Sequence, residues 1–205
     1  METLIENLIK KFGEDNFRRL QNTRVGIAGA GGLGSNCALT LVRVGFKRLT
    51  IIDFDVVSPA NLDRQFYFAN QVGMAKVLAL RDNLCRINSG LEIDARQERI
   101  EDANIRDLFK DCGIIAECFD KAEYKSMLVQ ELLGTGKFIV GVSGLGGVGS
   151  SDEIMVHRLK KNLVLIGDLK SDVAKNPPLA PRVSIAAAKQ ADVILEYVLN
   201  NGIIK

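Results

Sequence analysis

Arg24-Val25-Gly26-Ile27-Ala28 runs straight into Gly29-Ala30-Gly31-Gly32-Leu33-Gly34, and the stretch from Ser35 to Val44 then leads on to Leu49-Thr50-Ile51-Ile52-Asp53. A short apolar strand, a glycine turn, a helix closed by Gly45 and a second β-branched strand make one βαβ unit of about thirty residues. Glycines at this spacing let the chain turn tightly at the strand end. They also leave room for phosphate oxygens to reach backbone N–H groups at a helix start, where the dipole favours negative charge. Asp53 closes the second strand about twenty residues further on, placed to accept hydrogen bonds from ribose hydroxyls. By itself the pattern specifies an adenine nucleotide and leaves its identity open.

Working outward, the alternation of helix and strand continues. Lys76 to Ile87 carries Val77, Leu80, Leu84 and Ile87 on one helical face. Glu92 to Ala95 reads as a strand, Ile100 to Phe109 as a helix, and Gly113 to Cys118 as a buried strand ending at Phe119-Asp120. A helix from Lys125 to Leu133 and a strand from Lys137 to Val142 follow. This order predicts an α/β fold with a Rossmann-like, doubly wound, mainly parallel sheet. Glu153 to Arg158 and Leu163 to Ile166 read as strands with no helix between them, which predicts an antiparallel C-terminal addition. Gly167 to Pro181, with Pro177 and Pro178, reads as a long loop, and Ser184 to Leu199 as a closing helix stopped at Asn200-Asn201-Gly202. At the other end, Glu2 to Leu20 is amphipathic and helical with a break at Gly13. The expected division is an N-terminal helical segment, residues 1–22, and a nucleotide-binding domain, residues 23–205. A second glycine cluster, Gly144, Gly146 and Gly149, precedes a strand pattern and not a helix, so it lacks the helix start that meets an anion. It reads as a flexible turn or lid.

The 205 residues are 47% apolar and 25% charged with a net charge of +2, the profile of a soluble globular protein. A chain of this size buries a full core without disulfides or a structural metal. Its near-neutral, interspersed charge builds no strong positive field, so no nucleic-acid partner is expected. No apolar run approaches the length of a membrane span, and the N-terminus has no signal-peptide core, which leaves a cytoplasmic address. Cys37, Cys85, Cys112 and Cys118 form no C-x-x-C pair, and the single histidine, His157, is remote from all four. They read as small buried hydrophobes in a reducing compartment, with no zinc site. His157 reads as an alternating strand residue.

The segment after Asp53 separates the possible nucleotides. Asp53-Phe-Asp55 leads to Asn61-Leu-Asp-Arg64-Gln65, and Gly73-Met-Ala-Lys76 opens the next helix. Hydride transfer from a nicotinamide dinucleotide needs no cluster of cations at this sheet edge. Attack on the α-phosphorus of a triphosphate does, because charge builds on the leaving pyrophosphate and fixed cations stabilise that transition state more than the ground state. Asp120, at a strand end on the same edge, is placed to hold Mg²⁺, which binds through one or two carboxylates plus phosphate oxygens. As the bland alternative, Asp120 reads as a helix N-cap.

Taken together, Gly29-x-Gly-Gly-Leu-Gly34, Asp53-Phe-Asp55, Asn61-Leu-x-Arg64-Gln65, Gly73-x-x-Lys76 and Phe119-Asp120 resemble the ThiF/MoeB/HesA family, bacterial relatives of ubiquitin-activating enzymes. The resemblance spans roughly residues 17–202, and the Ala180-Pro-Arg182 ending is most similar to compact ThiF-type proteins of thiamine biosynthesis. It implies an ATP site built from Gly29, Gly31, Gly32, Gly34, Asp53, Asp55, Asn61, Arg64, Gln65, Lys76 and Lys121. Within that set, Asp53 holds the ribose and Arg64 and Lys76 contact the triphosphate, while Asp120 binds Mg²⁺. It further implies a homodimer that adenylates the Gly-Gly carboxylate of a small ubiquitin-like sulfur carrier. The chain departs from the family pattern in four places. It has no paired C-x-x-C motifs and no cysteine after Cys118. It has no Arg-Tyr-x-Arg-Gln segment near the N-terminus, and Lys121 stands where an asparagine usually follows the metal aspartate. Three other readings compete: activation of a tRNA-modification intermediate, an NAD-dependent oxidoreductase, and a non-catalytic dimeric scaffold that retains the nucleotide fold.

Overall fold

The computed structural model describes residues 3–173 and 175–204; Glu2, the start of the predicted helical stretch, and position 174 of the predicted loop lie outside them. Thr3 opens α1 (Leu4–Phe12) with a reciprocal cap. Its hydroxyl accepts the Glu6 N–H at 3.2 Å, and the Glu6 carboxylate accepts the Thr3 N–H at 2.7 Å. Gly13, at φ 78°, ends α1 and turns the chain into α2 (Glu14–Asn22), which buries Phe17 and Leu20.

The sheet is formed by β1 (Arg24–Ala28), β2 (Arg48–Ile52), β3 (Glu92–Arg96), β4 (Ile114–Glu117), β5 (Phe138–Val142), β6 (Met155–Lys160) and β7 (Leu163–Gly167). The helices are α3 (Gly32–Arg43), α4 (Lys76–Cys85), the single turn α5 (Ile105–Leu108), α6 (Ala122–Leu132) and α7 (Ala180–Leu199). Strand order is β3-β2-β1-β4-β5-β7-β6. Every pair is parallel except β6 with β7, so the predicted doubly wound sheet with an antiparallel addition is what forms. The antiparallel element is β6 alone, because β7 returns into the sheet beside β5. The strands β1, β4, β5 and β7 are nearly continuous apolar runs, as strands covered on both faces require.

One face is closed by α3 and α7. Ala186, Ala187, Ala191 and Ile194 of α7 are buried in the same cluster as Cys37, Ala38 and Leu41 of α3. The opposite face packs Ile105, Phe109, Leu128 and Leu132 against Ile115 and Ile139. Each fully buried leucine or isoleucine contributes roughly 1.5–3 kcal/mol by leaving water. Cys37, Cys112 and Cys118 are buried, and burial pushes all three thiols up. His157 lies on β6 with its ring nitrogen 2.9 Å from the Gly167 carbonyl. Among the described residues no helix is long and apolar enough to cross a membrane.

The two largest changes in helix length have local reasons. The helix expected from Ile100 shrinks to Ile105–Leu108 because Asn104 folds back on the preceding chain. Its Oδ1 accepts the Glu101 N–H at 2.9 Å and its Nδ2 donates to the Arg99 carbonyl at 2.9 Å. The last helix starts four residues earlier than read, at Ala180, because Pro181 falls in the first turn, where its missing N–H costs nothing.

The parallel strands all end on one edge, and strand order reverses between β1 and β4. Ligands in open α/β sheets bind at that carboxyl edge beside such a reversal.

Candidate active site

The glycine turn is built by close backbone approach. Gly29 is at φ 98°, and a Cβ on it would lie 3.1 Å from the Cys118 carbonyl oxygen. A Cβ on Gly34 would lie 1.8 Å from the Gly29 carbonyl oxygen, so only glycine lets the first turn of α3 fold onto its own loop. Gly31 differs: the nearest atom to a Cβ there is Gln65 Nε2 at 3.9 Å, so the position faces open space. Gly31 is the N-cap of α3 and supplies no side-chain cap. The first N–H groups of α3 are therefore left for a ligand, as at other anion-binding helix starts.

Asp53 ties this loop to the second strand. Its Oδ2 accepts the Ala30 N–H at 2.6 Å and its Oδ1 accepts the Asp55 N–H at 2.8 Å. Burial raises its carboxyl above the usual value, against the opposing effects of the Lys76 charge and those two N–H donors. Two of about four acceptor positions are thus used, which leaves about two open to further donors.

Lys76 is the first residue of α4, and its side chain is only 7% exposed. Its ammonium donates to Asp55 Oδ2 at 2.7 Å, and its N–H donates to the Asp55 carbonyl at 3.0 Å. An ammonium has three donors. Asp55 takes one and holds the group in place. Tyr67, whose importance the sequence did not signal, braces the same corner. Its buried hydroxyl donates to the Ala30 carbonyl at 2.6 Å and lies 3.3 Å from the Lys76 carbonyl. Burial, reinforced by Asp53 and Asp55, pushes this phenol up, so it stays protonated. Tyr67→Phe is expected to destabilise the fold by about 1–2 kcal/mol, the cost of leaving a buried carbonyl unpaired. Urea unfolding of the two proteins checks this.

The 58–66 segment lies across the start of α3. Asn36 Nδ2 bridges the Gly32 and Arg64 carbonyls at 2.7 and 2.9 Å, and Ser35 Oγ accepts the Phe66 N–H at 3.0 Å. The Arg64 stem comes within 3.6 Å of the Cβ position of Gly32. Its guanidinium donates to the Ala60 carbonyl at 3.0 Å and to Asp63 Oδ1 at 2.6 Å, both on the surface. Asn61 uses its side-chain oxygen to accept the Ser58 N–H at 2.9 Å, so that oxygen shapes the turn. Gln65 Oε1 is buried with no hydrogen-bond partner among the described residues, beside the open position at Gly31. An orphaned buried acceptor next to empty space marks where a ligand donor belongs.

Asp120 follows Phe119, whose ring lies 3.7 Å from the Cβ position of Gly29. It is exposed and is not the N-cap of α6; that position is Lys121, which makes no side-chain cap and sits with its ammonium 5.9 Å from the Tyr124 ring centroid. Among the described residues no three His, Cys, Asp or Glu side chains gather as a metal site. A divalent cation held by Asp120 would have to draw its remaining ligands from phosphates and water, the usual manner for Mg²⁺. The structure thus brings the glycine turn, Asp53, Asp55, Gln65, Lys76 and the Arg64 stem to one corner, with Asp120 one residue beyond it.

Two ion pairs, one part-buried and one buried, went unread in the sequence. Glu117, 2% exposed at the end of β4, accepts Lys125 Nζ at 3.0 Å and the Phe119 N–H at 2.7 Å, which fixes the residue preceding Asp120. Arg182 and Asp168 pair at 2.5 Å with side chains 5% and 6% exposed. Burial acts to raise the Asp168 carboxyl, but donors from Ser171, Lys170 and Arg182 outweigh it and hold it at about 2. A folded-state value below the unfolded one stabilises above about pH 4, and that contribution is lost as pH falls toward 2. Between pH 5 and 2, wild-type thermal stability is expected to fall more steeply than that of Asp168→Asn, as melting curves would show.

Known proteins share this fold. Escherichia coli tRNA N6-threonylcarbamoyladenosine dehydratase, TcdA, in complex with ATP superimposes with a TM-score of 0.82 at 18% identity, covering 97% of this chain and 93% of the other. Escherichia coli MccB with ATP gives 0.73 at 19% identity over 90% of this chain and 58% of the other. At these identities the likeness is one of fold. In sequence, the chain is 35% identical over 122 residues to the adenylyltransferase and sulfurtransferase MOCS3 of Caenorhabditis briggsae, 59% of this chain and 30% of that protein. It is 33% identical over 132 residues to the adenylyltransferase and sulfurtransferase UBA4 of Saccharomyces cerevisiae, 64% of this chain and 30% of that protein. The chain thus spans less than a third of the length of these curated relatives. The ThiF family pattern matches residues 5–162, which include the glycine turn, Asp53, Lys76 and Asp120, and the chain belongs to the ThiF family.

Proposed function

We propose that this chain uses ATP to adenylate the C-terminal glycine carboxylate of a small ubiquitin-like sulfur-carrier protein, acting as a homodimer in thiamine biosynthesis. The observation that carries the reading is the buried ammonium of Lys76, held by Asp55 in one hydrogen-bonded chain with Asp53 and the uncapped glycine turn. A buried cation beside free helix N–H groups suits a triphosphate, and an NAD-dependent oxidoreductase would leave it without a task. In the proposed step a carboxylate oxygen bonds to the α-phosphorus while the bond from that phosphorus to the bridging oxygen breaks. The electron pair leaves with pyrophosphate, and the acyl-adenylate remains. The glycine turn receives the phosphates, Asp53 the ribose, and Arg64 and Lys76 the developing negative charge. Gln65 lines the pocket beside Gly31, and Asn61 shapes the phosphate-side turn. Asp120 supplies a carboxylate for Mg²⁺, which when bound neutralises phosphate charge. No step is assigned to Cys37, Cys112 or Cys118, whose thiols are buried and pushed up by that burial.

MOCS3 and UBA4 are each an adenylyltransferase and sulfurtransferase, a pairing that supports a sulfur carrier as substrate. A second reading, activation of a tRNA-borne carboxylate, is favoured by the near-complete overlap with TcdA. Carrier-dependent ATP–pyrophosphate exchange separates the two. Exchange driven by a Gly-Gly-ended carrier and not by threonylcarbamoylated tRNA is expected, and the reverse pattern would transfer the assignment to the tRNA. Background exchange with both, alongside ATP binding, would leave a non-catalytic scaffold.

A further inference from the structure

We infer that Arg182, locked by Asp168, is a positioning residue that holds two loops of the carboxyl edge in shape to admit the extended terminus of the acyl substrate. This rests on the adenylation reading and names the part of the site that nucleotide chemistry leaves unassigned. The reversal of strand order puts the glycine turn, Asp53 and Lys76 on the β1–β2 side. The loops after β5 and β7 end on the same edge on the other side, where the second substrate must approach.

Arg182 joins those loops. Its Nε donates to the Leu145 carbonyl at 3.3 Å, one terminal nitrogen donates to the carbonyls of Gly149 and Ser150 at 2.6 and 2.9 Å, and the other reaches Asp168 Oδ2. Asp168 in turn accepts the N–H groups of Lys170 and Ser171 at 2.8 Å. A single buried guanidinium thus fixes the turn from Leu145 to Ser150 against the turn that follows β7. The backbones meet closely: a Cβ on Gly144 would lie 2.6 Å from the Leu169 nitrogen, and one on Gly146 would lie 2.3 Å from the Asn176 carbonyl oxygen. This explains Gly144 and Gly146 of the second glycine cluster as a close contact between two loops, whereas Gly149 meets nothing within 4 Å and is set by its φ of 74°.

Two further features argue that the arrangement serves more than folding. Ser150 and Leu169, at φ 45° and 59°, are two of the three non-glycine residues with positive φ among the described residues. One carries a carbonyl bound by Arg182 and the other follows Asp168. Strained backbone persists where its surroundings over-determine it, and it gathers at functional sites. Arg182 also lies in the first turn of α7, where a cation opposes the helix dipole and is retained only with a strong partner. Its neighbour Val183 reaches within 3.1 Å of the Cβ position of Gly32, so the clamp rests directly against the nucleotide turn.

The test compares wild type with Arg182→Lys and Asp168→Asn. Exchange kinetics are measured with a Gly-Gly-ended carrier, ATP affinity by titration, and amide hydrogen exchange over 144–150 and 168–173. For both variants the carrier KM is expected to rise at least about tenfold while the ATP Kd stays within about twofold, with faster amide exchange confined to those two segments. Arg182→Lys keeps the charge but loses the fork, so rescue by lysine would overturn the positioning role. An equal rise in carrier KM and ATP Kd, or an unchanged carrier KM with both loops released, would also overturn it. If wild type itself shows no exchange, the carrier assignment is what fails. The clamp is then judged by the other two measurements: local release at unchanged ATP affinity supports it, and protection unchanged in both variants refutes it.

Discussion

Replacing Lys76 with methionine is expected to lower carrier-dependent ATP–pyrophosphate exchange by roughly 100- to 1000-fold, and Arg64→Ala by a similar factor, the scale of removing one preorganised group aimed at transition-state charge. The two positions act differently. The Lys76 side chain is 7% exposed, so its charge works with little solvent screening, and its loss leaves Asp55 with a carboxylate that is 47% exposed and can be hydrated. The fold should therefore survive. The Arg64 guanidinium, among the described residues, is bonded to the Ala60 carbonyl and Asp63 at the surface, so it is free to turn toward a bound triphosphate at little cost to stability. Steady-state exchange on folded variants checks both. Rates within threefold of wild type would remove these cations from the reaction.

The second large effect is structural. Gly34→Ala would place a methyl 1.8 Å from the Gly29 carbonyl oxygen, 2.9 Å from its carbon and 3.1 Å from Ile27 Cγ2. Two of those atoms are backbone of the turn itself and cannot move without pulling the start of α3 off the loop. A loss of about 3 kcal/mol or more is expected, at the upper end of overpacking effects. ATP binding should be lost with it, because the N–H groups of the helix start no longer converge. Gly31→Ala is the control. With 3.9 Å to its nearest neighbour, the new methyl should change stability by less than about 1 kcal/mol. It would still stand where phosphate oxygens approach, so ATP affinity should fall while the fold is kept. Denaturant titration together with ATP binding separates the two outcomes.

These positions show which parts of the site were legible in the amino-acid order. The glycine turn, Asp53 and Lys76 belong to short segments whose conformation is decided locally, by glycine's missing Cβ and by strand and helix periodicity. β1 forms over the residues read for it, and Lys76 begins α4 as read. The side-chain oxygen of Asn61 closes a turn with the Ser58 N–H, a role that needs knowledge of the turn. The helix expected from Ile100 gave way to side-chain hydrogen bonds from Asn104 that periodicity does not register. Tyr67 and the Arg182–Asp168 pair were not legible at all. Their partners lie far away in the chain: Ala30 is 37 residues from Tyr67, and Leu145 is 37 residues from Arg182. Only the packed sheet edge brings them within hydrogen-bond reach.

In the proposed reaction, groups from separate segments converge on a departing pyrophosphate. A crystal structure with a non-hydrolysable ATP analogue and Mg²⁺ tests it most directly. Phosphate oxygens are expected within hydrogen-bond distance of the Lys76 ammonium, the Arg64 guanidinium and the first N–H groups of α3, with the Asp120 carboxylate on the metal. Phosphates lying elsewhere, with Lys76 still paired only to Asp55 and Arg64 still turned to Asp63, would contradict it.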